Sequence, residues 1–358
     1  MGFDFNCLKN VFSLVREVSG AKGKINYMDL GLKLVKLTGP YIVQYLGTVN
    51  RPPRVDVAEA FQQAAETEGF KPWEAPAQKS GKFRALFIGI NYYGTRAELS
   101  GCCNDVKQIL ATLQKKRFPI DEASILVDEE GFPGANGLPT RDNIVRYMAW
   151  LVKDAKAGDV LFMHFSGHGT QTRALSDSEE AFDQCIAPVD FERNGCILDD
   201  DIFKILLRSL PHGVRLTVVF DCCHSGSMLD LPYTFVGGRS VRSGVTGHMQ
   251  RIRRGNNCDG DVLMISGCAD EQTSADVANA AAFGTGATGA GGAATQCLTY
   301  TILKTSNLSY QDMLIATRDM LKKKRFTQVP QLSASKPIDL QREFSLMKVF
   351  EVDPAVAQ

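Results

Sequence analysis

Short, unbroken apolar runs recur along the chain at residues 83–91, 125–128, 160–164, 216–220 and 262–265, each closed by turn or polar residues. A run without alternation suits a strand buried on both faces, as in a parallel sheet covered by helices. Between these runs the hydrophobic period becomes helical. Val106, Ile109, Leu110 and Leu113 share one face of a helix starting at Asn104 or Asp105. Thr140 is an N-cap for a helix burying Ile144, Tyr147, Met148 and Leu151. Asp199, Asp200 and Asp201 precede Ile202, Leu206 and Leu207, and Ser309 with Asp312 opens a helix carrying Met313, Leu314 and Leu321. Strand–helix alternation predicts an α/β fold with a mostly parallel central sheet and helices on both faces. In such sheets, sites lie beyond the carboxyl ends of the strands.

Residues 1–81 lack this regularity: an apolar stretch at 30–46 runs into Asn50-Arg51-Pro52-Pro53-Arg54, and residues 68–82 are rich in Lys, Pro and Gly. They read as an N-terminal extension to a domain at 82–350, with residues 351–358 as a tail. Residues 237–260 (Gly, Ser and Arg) and 278–294 (Ala, Gly and Thr) read as loops.

The chain has 358 residues and carries 40 basic against 40 acidic side chains, a balance that argues against a nucleic-acid partner. No apolar run approaches the roughly 20 residues of a membrane-spanning helix, and residues 1–12 lack the pattern of a secretory signal. Gly2 is followed by Asn6 where a myristoylation motif wants Ser or Thr, so lipidation of Gly2, with Cys7 as a second anchor, is disfavoured. The ten cysteines include two adjacent pairs and no C-x-x-C, which points to free thiols in a reducing, cytoplasmic setting.

Two strand ends carry unusual chemistry. One continues as His164-Phe165-Ser166-Gly167-His168-Gly169, the other as Asp221-Cys222-Cys223-His224-Ser225-Gly226. A thiolate nucleophile needs a nearby imidazole to take its proton. His168 and Cys223 are separated by one strand–helix excursion and a return strand, a path that can bring them side by side. Spacing alone does not choose between Cys222 and Cys223. His164 and His224 read as packing residues. Ser225 and Ser227 raise a serine-hydrolase alternative, but no G-x-S-x-G elbow surrounds either.

The paired F-S-G-H-G and D-C-C-H-S-G blocks resemble those of the metacaspases, caspase relatives, most closely the single-chain forms of trypanosomatid parasites. The resemblance spans roughly residues 30–350 and implies a caspase-like three-layer sandwich. It assigns Cys223 as nucleophile, His168 as general base, and the backbone N–H groups of Cys223 and Gly169 as the oxyanion hole. It implies cleavage of protein or peptide substrates after Arg or Lys, in a pocket formed by Cys102, Asp105, Ser166 and Asp221. Paired carboxylates are a strong way to hold a guanidinium. Asp183, Asp199, Asp200 and Asp230 match the family's calcium (Ca2+) ligands; no EF-hand loop is present, but four acids from separate loops suit a hard cation.

The resemblance also implies a monomer, peripheral endosomal association at most, and a zymogen whose extension crosses the cleft at Pro40-Tyr41-Ile42. Self-cleavage is expected at Arg239, Arg242, Arg251, Arg253 or Arg254, or near Lys79, Lys82, Arg51 or Arg54. A catalytically silent scaffold is the rival reading; retention of both His168 and Cys223 speaks against it.

Overall fold

The computed structural model describes residues 55–64, 81–173, 182–223, 225–236, 247–252, 257–267, 276–277, 291–304, 307–326, 328–348 and 350. They belong to one compact unit, Asn50–Gln358. Gly2, Cys7, Pro40-Tyr41-Ile42, Arg51, Arg54, Lys79, His224, Arg239, Arg242, Arg253, Arg254 and the 351–358 tail lie outside the described residues.

Five apolar runs form parallel strands: β1 (Phe83–Gly89), β2 (Glu122–Val127), β3 (Val160–Ser166), β7 (Arg215–Asp221) and β10 (Asp261–Ser266). Their order is β2-β1-β3-β7-β10, all parallel. Three antiparallel strands then extend the sheet in the order β13 (Gln331–Ala334), β8 (Tyr233–Val236) and β9 (Gln250–Arg251). Part of the predicted 237–260 loop is therefore strand. A separate antiparallel sheet joins β4 (Gly169–Arg173), β5 (Phe182–Ile186) and β6 (Ile197–Leu198).

Helix α2 (Cys102–Lys115) begins two residues before the earliest predicted start. Its first turn is capped from outside the helix: Asn91 Oδ1 accepts the N–H groups of Cys102 (2.8 Å) and Cys103 (3.4 Å). Helix α3 (Arg141–Val152) starts as predicted, with the Thr140 hydroxyl accepting the Asn143 N–H. A short turn of helix, α4 (Phe191–Asn194), precedes β6, and α5 (Asp199–Leu206) opens on the three aspartates. Helix α6 (Ala293–Lys304) takes in the end of the predicted 278–294 loop, directly after β12 (Gly291–Gly292), which pairs with β11 (Asp276–Val277). Helix α7 (Tyr310–Lys323) is N-capped by Ser309.

One core gathers Phe83, Ala85 and Phe87 of β1 with Val106, Ile109 and Leu113 of α2, Leu298 of α6 and Met313 and Leu314 of α7. The alternate β1 residues, Leu86 and Ile88, are equally buried. Helix α3 packs on β1 and β2, and α5 packs on α3. Helix α1 (Val57–Ala64), from within the 1–81 extension, packs on α3 and α5, and the Val55 N–H donates to Asp201 Oδ2 at 3.2 Å.

The outer edge of β2 is covered by the chain itself. Ile125 N–H donates to Asn136 Oδ1 (2.8 Å), Asn136 N–H donates to the Ile125 carbonyl (2.7 Å), and Val127 N–H reaches Gly137. Such cover blunts strand-edge association. At the amino end of β7, Arg215 is fully buried. Its guanidinium stacks 4.2 Å from the Phe350 ring and donates to the Ser345 carbonyl at 3.2 Å.

The Ser309 hydroxyl accepts the Asp312 N–H at 3.0 Å and donates to Asp312 Oδ2 at 2.9 Å. Ser309→Ala is expected to lower the unfolding free energy by about 1 kcal/mol, read as a lower denaturant midpoint with an unchanged slope. A midpoint equal to the wild type would show that the cap contributes nothing.

Candidate active site

In the β3–β7 pairing Ser166 stands opposite Asp221. His168 and Cys223 each follow two residues later, so the register directs both blocks to the same end of the sheet. The blocks meet at Gly169, where a Cβ would overlap the Cys223 carbonyl oxygen and come within 3.0 Å of Cys222 Sγ. Only a residue without a side chain permits that approach. Cys222 is sealed in the interior while Cys223 is partly exposed. Ser225 and Ser227 are buried, and the Ser225 hydroxyl donates to the Cys222 carbonyl at 2.9 Å, closing the turn.

The His168 ring contacts the Ala97 carbonyl through Nε2 at 2.8 Å. A carbonyl only accepts, so Nε2 carries the hydrogen and Nδ1 keeps its lone pair. Burial lowers the imidazole pKa to about 4, against the opposing pull of the Ala97 carbonyl. The ring is therefore neutral at physiological pH and ready to accept a proton.

Beside these two residues lies a buried pair of carboxyls. Asp105 and Asp221 are both buried, and both carboxylates lie against Gly292, where a Cβ would strike them. The Gly292 N–H donates to both Asp105 oxygens (2.9 and 2.8 Å). The Ser166 hydroxyl (2.7 Å) and Gln296 Nε2 (3.0 Å) also donate to Asp105, and the Thr295 N–H donates to Asp221 (2.7 Å). Burial, followed by the Asp221 charge, holds the Asp105 carboxyl well above the usual carboxylate range. Cys102 is buried at the start of α2.

Gly292, Thr295 and Gln296 are absent from the predicted set. Gly292 sits in the 278–294 stretch whose composition reads as a loop, and Thr295 and Gln296 follow directly after it. The one available signal was a polar pair, Thr295 and Gln296, at the start of an otherwise apolar segment. Behind them His164 Nε2 lies 3.2 Å from the Thr295 hydroxyl, and burial lowers this imidazole to about 3.

Of the four predicted metal acids, the structure groups Asp199, Asp200 and Asp230, each offering an oxygen within 4.8 Å of the others. Asp183, on β5, falls outside that group, although its charge still acts on Asp199. Burial first, and then the Asp230 charge, raise Asp199 to about 8, against the N–H groups of Gln184 and Asp200. Crowded, partly dehydrated carboxylates offering only oxygen fit a hard divalent cation, which would relieve their repulsion.

A partly exposed thiol and a neutral imidazole thus lie at the same end of two paired parallel strands. Residues 83–232 match the family described as metacaspase, peptidase C14 domain. The chain is 78% identical over 357 residues to Metacaspase-3 of Trypanosoma cruzi (strain CL Brener), with 100% of both chains covered. It is 61% identical over 356 residues to Metacaspase-3 of Trypanosoma brucei brucei, covering 99% of this chain and 100% of that one. A crystal structure of a Geobacter sulfurreducens protein shares the fold at TM-score 0.50 and 21% identity, covering 75% of this chain and 100% of that one. The chain belongs to the metacaspase family and is a cysteine-type peptidase.

His164 generates a pH prediction. Its folded pKa, about 3, lies below the unfolded value near 6.5. Below that value the unfolded chain binds a proton that the folded chain refuses, so stability falls as pH drops from about 6.5 toward 3. The slope from this residue is at most about 1.4 kcal/mol per pH unit, and His168 adds a contribution of the same sign. Thermal melting against pH should show the decline, and His164→Asn should flatten it. An unchanged slope in that variant would exclude His164 as a source.

Proposed function

We propose that the chain is a calcium-activated cysteine endopeptidase that cleaves after Arg or Lys, with Cys223 as nucleophile and His168 as general base. The observation that carries the reading is the β3–β7 register, which aligns the two blocks while Cys222 is sealed and Cys223 is partly exposed. Nδ1 of His168 takes the Cys223 thiol proton, and the sulfur attacks the carbonyl carbon of the basic residue itself. The backbone N–H groups of Cys223 and Gly169 receive the oxyanion. The imidazolium then protonates the leaving amine, and a water deprotonated by His168 hydrolyses the thioester.

Asp105 and Asp221, with Ser166 and Cys102 as the remaining wall, form the site for the substrate's basic side chain. Their oxygens already accept hydrogen bonds from Gly292, Thr295 and Gln296, an arrangement that suits a zymogen. Calcium, held by Asp199, Asp200 and Asp230 with Asp183 completing the set, would supply the positive charge that lets these acids ionise together.

Residues 82–350 act as the peptidase domain and 1–81 as a regulatory extension. Lys82 and the exposed Arg251 are candidate self-cleavage positions within the described residues. The covered β2 edge supports a monomer. None of the eight described cysteines is joined in a disulfide, which supports a cytoplasmic setting. Among the described residues no helix is long and apolar enough to cross a membrane.

Hydrolysis of matched Arg, Lys and Asp peptides with and without calcium tests the reading. Arg and Lys peptides should turn over, and a chelator should abolish the rate. Cys223→Ala should lower activity by at least about 10³-fold, whereas Cys222→Ala should not. Turnover of the Asp peptide alone would overturn the specificity, and undiminished rates in chelator would remove the calcium requirement.

A further inference from the structure

The loop after β1 grips the His168 imidazole from two sides. Ala97 takes the Nε2–H, and Tyr92 covers the ring, with centroids 4.8 Å apart and planes inclined at 39°. The Tyr92 hydroxyl accepts the His168 backbone N–H at 2.9 Å and donates to the Ala187 carbonyl at 2.6 Å. The Ala187 N–H in turn donates to the His168 carbonyl at 3.0 Å. Both backbone polar groups of the histidine are thus fixed in one closed circuit that runs through a single phenol.

Tyr92 is held in an unusual backbone state to do this. Its φ is 52°, in the left-handed region that a bulky side chain rarely occupies. Asp128 secures the turn: its two oxygens accept the N–H groups of Asn91 (2.8 Å) and Tyr92 (2.6 Å). The Tyr92 carbonyl accepts both the N–H (3.1 Å) and the hydroxyl (2.8 Å) of Thr95, which folds the loop back so that Ala97 meets the ring. Backbone strain held this firmly beside an active site marks a positional demand, because packing alone would be met by an aromatic residue in a relaxed conformation. Tyr92 is fully buried, and burial raises its phenol well above the ordinary value, so it remains a donor.

We propose that Tyr92 is a positioning residue for the peptidase reaction, fixing the plane and tautomer of His168 so that Nδ1 is presented to the nucleophile, with Asp128 holding Tyr92 in place. This rests on the reading of His168 and Cys223 as the dyad. The phenol does not touch substrate; it acts through the imidazole.

The test uses the full chain with Tyr92→Phe, Asp128→Asn, Cys223→Ala and Cys222→Ala. Two quantities are read: kcat and KM on an Arg peptide, and the pH dependence of Cys223 alkylation by iodoacetamide, followed by mass spectrometry of the Cys223 peptide. Tyr92→Phe keeps the ring and deletes the hydroxyl. It should lower kcat about 10- to 100-fold with KM within about 2-fold. It should also slow Cys223 alkylation over the neutral part of that profile, because a misoriented Nδ1 takes the thiol proton less readily. Asp128→Asn should move both quantities in the same direction by less, and decides the matter if circular dichroism shows Tyr92→Phe unfolded. An alkylation profile that superimposes on the wild type, with or without a loss of kcat, would overturn the positioning role. Full activity in Cys223→Ala, with activity lost in Cys222→Ala, would instead overturn the dyad assignment, and this inference with it.

Discussion

The hydrogen-bonded register between β3 and β7 decides where both reactive side chains can stand. With Ser166 opposite Asp221, one strand delivers His168 and the other Cys223 two positions beyond the paired residues. A slip of one residue would turn every side chain of the strand to the other face. The slip is opposed because both strands are buried along nearly their whole length and sit between β1 and β10. Which strand ends carry the chemistry is therefore a by-product of core packing, while the loop after β1 sets the orientation of the imidazole.

The interior around these groups adds electrostatic adjustment. The imidazole of His168 and the carboxyls of Asp105 and Asp199 are all shifted first by burial, and in each case toward the neutral form. A neutral imidazole suits a base. Neutral carboxyls suit a resting state rather than the binding of a cation, whether a metal ion or a guanidinium. The same low-dielectric interior thus keeps both the imidazole and the carboxyls neutral, and an incoming positive charge would favour ionisation of the acids.

Much of this was legible in the chain. Continuous apolar runs marked β1, β2, β3, β7 and β10, because strands buried on both faces leave no polar alternation to confuse the reading. Thr140 and Ser309 announced α3 and α7 because their hydroxyls satisfy backbone donors locally. The start of α2 was misread because its cap, Asn91, comes from another element. β13 and β8 escaped notice because four-residue antiparallel strands carry too short a pattern. Tyr92 was invisible as a site residue for a related reason: its role depends on a strained turn and on partners as distant in sequence as Ala187. Gly292 lay hidden in a stretch whose composition signals a loop.

The buried Arg215 carries a practical consequence. It anchors Phe350 at the amino end of the seven-residue strand whose carboxyl end leads to the thiol, a separation of about 20 Å along the strand. Phe350 therefore lies at the end of the sheet opposite Cys223. A reporter attached to a side chain near Phe350 would sit remote from the thiol, so that end of the sheet can be labelled without crowding the chemistry.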